Sequence, residues 1–546
     1  MKTSYFLFVI SIFISSLISG TIFSQNSDSY KLNEKGFWQS DNGDGTYTNP
    51  IIHADYSDPD VIRVGDDFYL TASSFNCIPG LPILHSTDLV NWEIITYALT
   101  KQPPYDVFDK PQHGNGVWAP SIRFHDNKFY IYWGDPDFGI YVITADKAEG
   151  PWSEPQLIQK AKGWIDPCPF WDEDGKAYLI HAFAGSRAGF KNILVINEMA
   201  HDGLSLNEKC TLVFDGNNGH PTTEGPKLYK RNGHYYIFAP AGGVKPGWQL
   251  VLRSKNIYGP YEERIVIDQG NTNINGPHQG GFVELESGES WFLHFQDKDA
   301  YGRIVHLQPL KWKEDWPVIG VDKDGDGKGE PVLTYKKPSV KTNKTEGVIP
   351  VSDEFNKPEF GLQWQWHANF KPEWAFPTNF GFLRLNCATL ENKDCNFWDI
   401  PNLYLQKLPA EEFSATTSLK FHPKQDGDKT GLILMGEDYA SIEIIYSEGK
   451  KFITFIAVSD AMTEPKSNQF EMHETTTSDV YFRMEMSKGG VCQFYFSENG
   501  INYIKTGQPF TARAGRWIGA KMGIYALKSI ETNNSGYADF DWFRVK

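Results

Sequence analysis

The sequence predicts an all-β protein: a five-bladed β-propeller followed by an antiparallel β-sandwich. Two observations carry that expectation. The first is a recurring stretch. SDPDVIRVGDDFYL from Ser57 returns as WAPSIRFHDNKFYIYWG from Trp118 and WIDPCPFWDEDGKAYLI from Trp164. It returns again as TEGPKLYKRNGHYYIF from Thr223 and HQGGFVELESGESWFLHF from His278. With heads taken at Asp60, Pro120, Pro167, Gly225 and Gly280, the units stand 60, 47, 58 and 55 residues apart. That is the spacing of blades built from several short strands. The second observation is the lack of any long helical periodicity in a chain whose residues are 15% aromatic, with 17 Trp, 26 Tyr and 37 Phe. Such residues suit pleated, half-buried surfaces.

Residues 1–24 read as a cleavable targeting segment. Lys2 supplies a positive start, Tyr5 to Ile18 is apolar apart from serines, and small residues lead to a preferred cut between Ser24 and Gln25. The run is too short for a membrane span, so the expected location is periplasmic or secreted. Residues 25–345 are read as the propeller domain, opening on the turn-rich SDNGDGTYTNP. Inside the units, alternation such as Lys128-Phe-Tyr-Ile-Tyr-Trp133 marks strands. Asp126-Asn127, Asp174-Gly175 and Asn232-Gly233 mark the hairpin turns between them.

The composition becomes polar and charged across VDKDGDGKGEP and YKKPSVKTNKTEG, as at a domain connection. Asp322, Asp324, Asp326 and Gly327 begin like a calcium loop. Twelve-residue spacing puts Leu333 where the bidentate glutamate belongs, so a solvated turn is the better reading. Residues 346–546 are read as the sandwich. GLILMG, KFITFIAV, VYFRMEMS and VCQFYFS look like strands, with turns at Glu448-Gly449 and Asn499-Gly500.

An excess of 68 acidic over 52 basic residues, net charge −16, excludes nucleic acid and anionic membrane as natural partners. Six cysteines in 546 residues do not make a disulfide scaffold. Cys387 and Cys395 are near enough to pair across a hairpin, but free buried thiols are expected.

Three of the recurring heads carry an acid: Asp58, Asp166 and Glu224. A lone acid-proline pair is usually a turn device. Three such acids at one position of a ring aim their carboxyls at a common pocket. Cleaving a glycosidic bond needs one carboxylic acid to protonate the leaving oxygen and a second carboxylate to activate water or attack carbon. A third acid nearby raises the donor's pKa by like-charge repulsion.

The chain here resembles glycoside hydrolase family 43, the inverting β-xylosidases and α-L-arabinofuranosidases. NPIIHADYSDPDVIRVGDDFYLTASSFNCIPGLPILHSTDLVNW, WAPSIRF, WIDPCPF, TEGPKLYK and Gly302-Arg303 carry the resemblance over residues 49–320. DEFNKPEFGLQWQW and YADFDWFRV resemble the concanavalin-like sandwich of the xylosidase branch. The resemblance implies Asp58 as general base, Glu224 as general acid and Asp166 as the acid that tunes and orients the donor. It implies Phe75, Trp118 and Arg303 as sugar-binding residues. His278 is implied as an axial histidine facing calcium, a structural metal only, with no cofactor needed for the chemistry. Asp60 is read as a strand-head hydrogen-bonding residue instead.

The implied function is exo-acting release of terminal α-L-arabinofuranose or β-D-xylose from plant cell-wall oligosaccharides, with arabinofuranose slightly favoured by analogy. Strict β-D-xylosidase activity is the alternative among enzymes. A non-catalytic glycan-binding propeller and an adhesin are the alternatives outside them, and the intact acids argue against both. Five-bladed fructosidases need Arg-Asp-Pro and Glu-Cys where this chain has Ile165-Asp166-Pro167 and Glu224-Gly225.

Overall fold

The computed structural model describes residues 37–341, 347–389, 396–528 and 533–546. The targeting segment and Cys395 lie outside the described residues. The expected propeller is present as five four-stranded antiparallel meanders. Blade I runs Asp60–Val64, Asp67–Thr71, Gly80–Ser86 and Glu93–Leu99; blade II runs Trp118–His125, Lys128–Asp135, Gly139–Ala145 and Gln156–Lys160. Blade III comprises Trp164–Trp171, Ala177–Phe183, Ile193–Met199 and Leu206–Asp215. Blade IV comprises Lys227–Arg231, His234–Ala241, Trp248–Ser254 and Glu262–Ile267, and blade V His278–Glu284, Ser290–Asp297, Arg303–Lys313 and Trp316–Ile319.

Each blade is packed between two others, so its second strand is buried on both faces. Lys128–Asp135 and Ala177–Phe183 are buried almost throughout. Their apolar runs have that physical origin. Two-residue turns with positive φ at both positions close the hairpins at Asp126-Asn127, Asn232-Gly233 and Glu448-Gly449. The stretch before blade I clasps blade V. The Asn49 amide donates to the carbonyls of Leu307 and Val332, its oxygen accepts from Leu307 N–H, and Ile52 and Val305 exchange backbone bonds.

The C-terminal strands form two sheets facing each other, antiparallel apart from the short Ala388–Thr389, which pairs parallel with Lys521–Lys528. One holds, in spatial order, Gln365–Trp366, Tyr404–Lys407, Lys521–Lys528, Lys429–Met435, Tyr439–Ser447, Lys450–Ser459 and Lys466–Thr475. The other holds Ala375–Pro377, Leu383–Asn386, Tyr537–Val545, Phe413–His422, Asp479–Ser487, Val491–Ser497 and Ile504–Thr511. Side chains of Leu432, Ile442, Phe455, Phe482, Phe494 and Phe540 meet between them. Strict alternation of buried and half-buried residues along Asp479–Ser487 matches a sheet with one face inward.

The sandwich is built onto the propeller. Ile78 and Trp366 exchange backbone bonds of 3.0 and 2.6 Å. Asn369 accepts from Gln102 N–H at 2.8 Å and donates to its carbonyl at 3.0 Å. Tyr301 donates from its hydroxyl to Glu411 and Ser487 carbonyls. Of the described cysteines, Cys77, Cys168, Cys387 and Cys492 are buried thiols; Cys210 departs from the expectation in being exposed.

Candidate active site

The five inner strands begin in the same way. Their first-to-second-strand pairing aligns Asp60, Ser121, Cys168, Lys227 and Gly281 across the ring. Two residues upstream of these stand Asp58, Ala119, Asp166, Gly225 and Gln279, all with positive φ: 53°, 37°, 57°, 56° and 42°. The left-handed region is unfavourable for residues with a Cβ, and its recurrence here aims five side-chain positions at the axis. This corrects one expectation. Glu224 does not share the position of Asp58 and Asp166; Gly225 does. Glu224 stands one residue earlier, level with Ser57, Trp118, Ile165 and His278. Glycine takes the left-handed turn without strain.

A cavity of about 370 Å³ opens at this end of the axis. Asp58, Asp166, Glu224, Phe75, Trp118, Arg303 and His278 all line it, so every site residue read from the sequence is brought together. Its size is at the lower end of small-ligand pockets.

Asp58 is buried and accepts from three donors. Ser73 Oγ lies 2.6 Å from Oδ2, Ser57 Oγ 2.8 Å, and Arg303 Nη1 reaches Oδ1 at 3.1 Å. Arg303 is itself fixed. Its backbone N–H donates to Asp55 Oδ1 at 2.8 Å, Nη1 donates to Ser57 Oγ at 2.5 Å, and its guanidinium lies over the Phe295 ring. Asp166 accepts the Gly225 N–H at 2.7 Å on Oδ2. Burial, opposed by that bond and reinforced by the Asp58 charge, pushes Asp166 up to about 7. Glu224 is pushed up to about 8 by burial first, then by Asp166 and Asp58. The two titrate as a pair, and burial with the neighbouring charges favours the neutral form of Glu224. The Glu224 side chain is 26% exposed, the most accessible of the three acids.

His278 is fully buried, with Nε2 3.5 Å from Glu224 Oε1, and both ring nitrogens lack a hydrogen-bond partner. Burial, with Arg303 and His294, pushes its pKa down to about 3, so the ring is neutral. A neutral, unpaired nitrogen on the axis fits one ligand to a cation. Calcium takes six to eight oxygens, and the site offers it no cage of carboxylates; water has to supply most of the shell.

Asp60 takes the structural part expected of it. Its Oδ2 accepts Ile122 N–H at 2.9 Å and Arg123 Nη1 at 2.6 Å, and Lys227 Nζ lies 3.9 Å away with no exposure. Blades I, II and IV are thereby tied beneath the pocket. Asp60→Ala leaves two cations without their buried partner and is expected to cost about 3–5 kcal/mol of stability. Chemical denaturation checks this, and a loss below about 1 kcal/mol would contradict it.

The sequence reading missed Asp55, Ser57 and Ser73 as the supports of Arg303 and Asp58. It also missed Gln279, whose position was visible as the fifth copy of the repeat. Trp517 had no signal at all, because it comes from the sandwich. Its ring meets Trp118 edge-on at 6.4 Å, with Arg303 5.8 Å from its centroid, and it completes the pocket wall. The Asp322, Asp324 and Asp326 carboxylates do converge, with ligand atoms within 4.8 Å of one another, but in a solvated turn that does not line the pocket.

Three carboxyls around a small aromatic-walled pocket on a propeller axis define a glycosidase. The comparisons agree with that class. Residues 47–317 match the glycosyl hydrolases family 43 model, and residues 352–546 match the β-xylosidase C-terminal concanavalin A-like domain. A Xylanibacter ruminicola protein with a provisional β-xylosidase name is 37% identical over 505 residues, covering 91% of this chain and 89% of its own. The β-xylosidase of Formosa agariphila is 32% identical, covering 93% and 92%. The non-reducing end α-L-arabinofuranosidase of Bacteroides ovatus is 28% identical, covering 91% and 94%. A solved xylan β-1,4-xylosidase from Bacillus halodurans superposes with a TM-score of 0.80 at 25% identity, over 91% of this chain and 99% of that one. The chain belongs to glycosyl hydrolases family 43.

Proposed function

We propose that this enzyme releases single terminal pentoses, β-D-xylose and α-L-arabinofuranose, from hemicellulose oligosaccharides with inversion of configuration. The observation that carries the reading is the division among the carboxyls. Asp58 is ringed by hydrogen-bond donors, while burial and neighbouring charge favour a protonated Glu224. In this scheme Glu224 protonates the departing oxygen, and Asp58 takes a proton from the water that attacks the anomeric carbon from the opposite face. Asp166 maintains the proton on Glu224. Arg303 orients Asp58 and meets the sugar hydroxyls, and Phe75, Trp118 and Trp517 pack its apolar faces.

The bond-making is left to the three acids, and no cofactor is required. Any calcium at His278 would supply positive charge beneath them. Xylose is put first because the more similar relatives carry xylosidase names; this reverses the slight preference drawn from sequence. Export with cleavage after Ser24 is part of the proposal, and N-terminal sequencing of the exported protein should start at Gln25.

The test is incubation with xylo-oligosaccharides, arabinoxylan and arabinan, with the fresh product followed by proton NMR. Free pentose of the opposite anomeric configuration is expected first. Internal fragments without free pentose, or retained configuration, would overturn the reading.

The pH profile is a separate check. The alkaline limb of kcat/KM reports loss of the Glu224 proton. Asp166→Asn removes a neighbouring negative charge, ionisation of Glu224 becomes easier, and the limb should move to lower pH. A limb that stays in place or rises would remove Asp166 from its tuning role.

A further inference from the structure

A second cluster of ligand-type side chains lies at the opposite end of the inner strands from the catalytic pocket. The inner strand of blade II starts at Trp118, in the pocket wall, and ends at His125. That of blade III starts at Trp164, beside Asp166, and ends at Trp171. Strands of that length separate their two ends by roughly 20 Å. At the far end, Asp126 Oδ2 lies 3.4 Å from His125 Nε2 and 3.6 Å from Nε2 of His201, which is carried by the turn after Ile193–Met199 of blade III. All three ligand atoms fall within 4.8 Å of one another.

The arrangement is held in place from outside. The His125 ring stacks on Trp171 at 4.5 Å and 13°, and Trp171 Nε1 donates to the His201 carbonyl at 2.8 Å, fixing the backbone that presents the second histidine. Although the cluster is at the surface, His125 Nε2 is itself buried and has no hydrogen-bond partner. The two N···O separations are long for hydrogen bonds. They suit ligands on one ion: zinc–nitrogen and zinc–oxygen bonds of about 2.0–2.2 Å at tetrahedral angles put neighbouring ligand atoms roughly 3.3–3.5 Å apart. Two imidazoles with one carboxylate suit zinc, copper or nickel, and are too few oxygens for calcium or magnesium.

We infer that His125, Asp126 and His201 form a divalent transition-metal site, of zinc type, that staples blade II to blade III on the face of the propeller away from the acids. Three protein ligands leave a fourth position to solvent. The distance from the pocket makes the site a stabilising one, since an ion bound only by the folded ring shifts the folding equilibrium towards it.

The test uses the untagged full-length enzyme, stripped with chelator and dialysed, then titrated with zinc chloride by calorimetry and with Co(II) by visible absorption. One zinc per chain, a tetrahedral Co(II) spectrum and a zinc-dependent rise in Tm are expected, with turnover unchanged. His201→Gln and Asp126→Asn change exposed side chains and should keep the metal-free Tm. Each should weaken zinc binding at least tenfold and abolish the Tm rise. Absence of saturable zinc binding by the parent would overturn the inference. So would binding that survives undiminished in the double variant, which would place the ion at Cys210, at His278 or in the Asp322 turn.

Discussion

Glu224→Gln is expected to lose about 10²–10⁴-fold in turnover on xylo-oligosaccharides and far less on aryl pentosides. The natural leaving group is a sugar alcohol, which departs only with a proton. A nitrophenolate departs without one, so the missing acid matters little for it. Asp58→Asn should be slow on both substrates, because the attacking water has to be deprotonated whatever leaves. The donors around Asp58 keep other contacts in that variant: Ser73 Oγ accepts Ala119 N–H, Ser57 Oγ accepts Arg303 Nη1, and Arg303 N–H donates to Asp55. The comparison therefore isolates the loss of the base. Steady-state kinetics on the two substrate classes decides the assignment. Selective rescue of Asp58→Asn by the good leaving group, rather than of Glu224→Gln, would mean that the two roles are exchanged.

The second large effect expected is from removing the sandwich. A chain ending near residue 345 should be insoluble or inactive. Truncation strips the partners from Ile78 N–H and C=O and from Gln102, and leaves the Tyr301 hydroxyl without its two carbonyls. The apolar surface laid bare with them costs about 25 cal/mol for each Å² exposed to water, to be set against the 5–15 kcal/mol that holds an ordinary domain together. It also removes Trp517 from the pocket. Trp517→Ala in the full chain separates the two consequences: the enzyme should fold with an unchanged Tm and bind terminal sugar roughly tenfold more weakly. Soluble truncated protein with full activity would refute the dependence.

The propeller was legible because each blade repeats the same local problem: a left-handed entry, an inner strand and a tight turn. That is why Asp58 and Asp166 could be aligned from sequence alone. The one-residue offset of Glu224 was not legible in that alignment. Glu-Gly-Pro and Ile-Asp-Pro look interchangeable until the backbone shows that Gly225 occupies the left-handed position. Trp517 was hidden for a different reason. It lies over 200 residues beyond Arg303 in the chain, in another domain, and no periodicity links it to the pocket it walls. The rim cluster was hidden in the same way, since His125 ends the inner strand of blade II and His201 lies in a turn of blade III.

Asp55 joins what the two domains contribute to the pocket. One of its oxygens receives Arg303 N–H and the other receives Gly519 N–H at 3.0 Å, across the boundary between propeller and sandwich. The neighbouring Gly302 approaches Asp55 so closely that a Cβ there would lie 2.5 Å from the carboxyl carbon. The arginine that holds the Asp58 carboxyl and the loop that carries Trp517 are therefore moored to a single carboxylate. Trp517 stands in the pocket wall on that loop, and a different side chain there would change what the pocket admits. At Gly519 it cannot shift without dragging on Arg303. Substrate range is free to drift on one side of this mooring, while the hydrolytic machinery on the other side stays where it is.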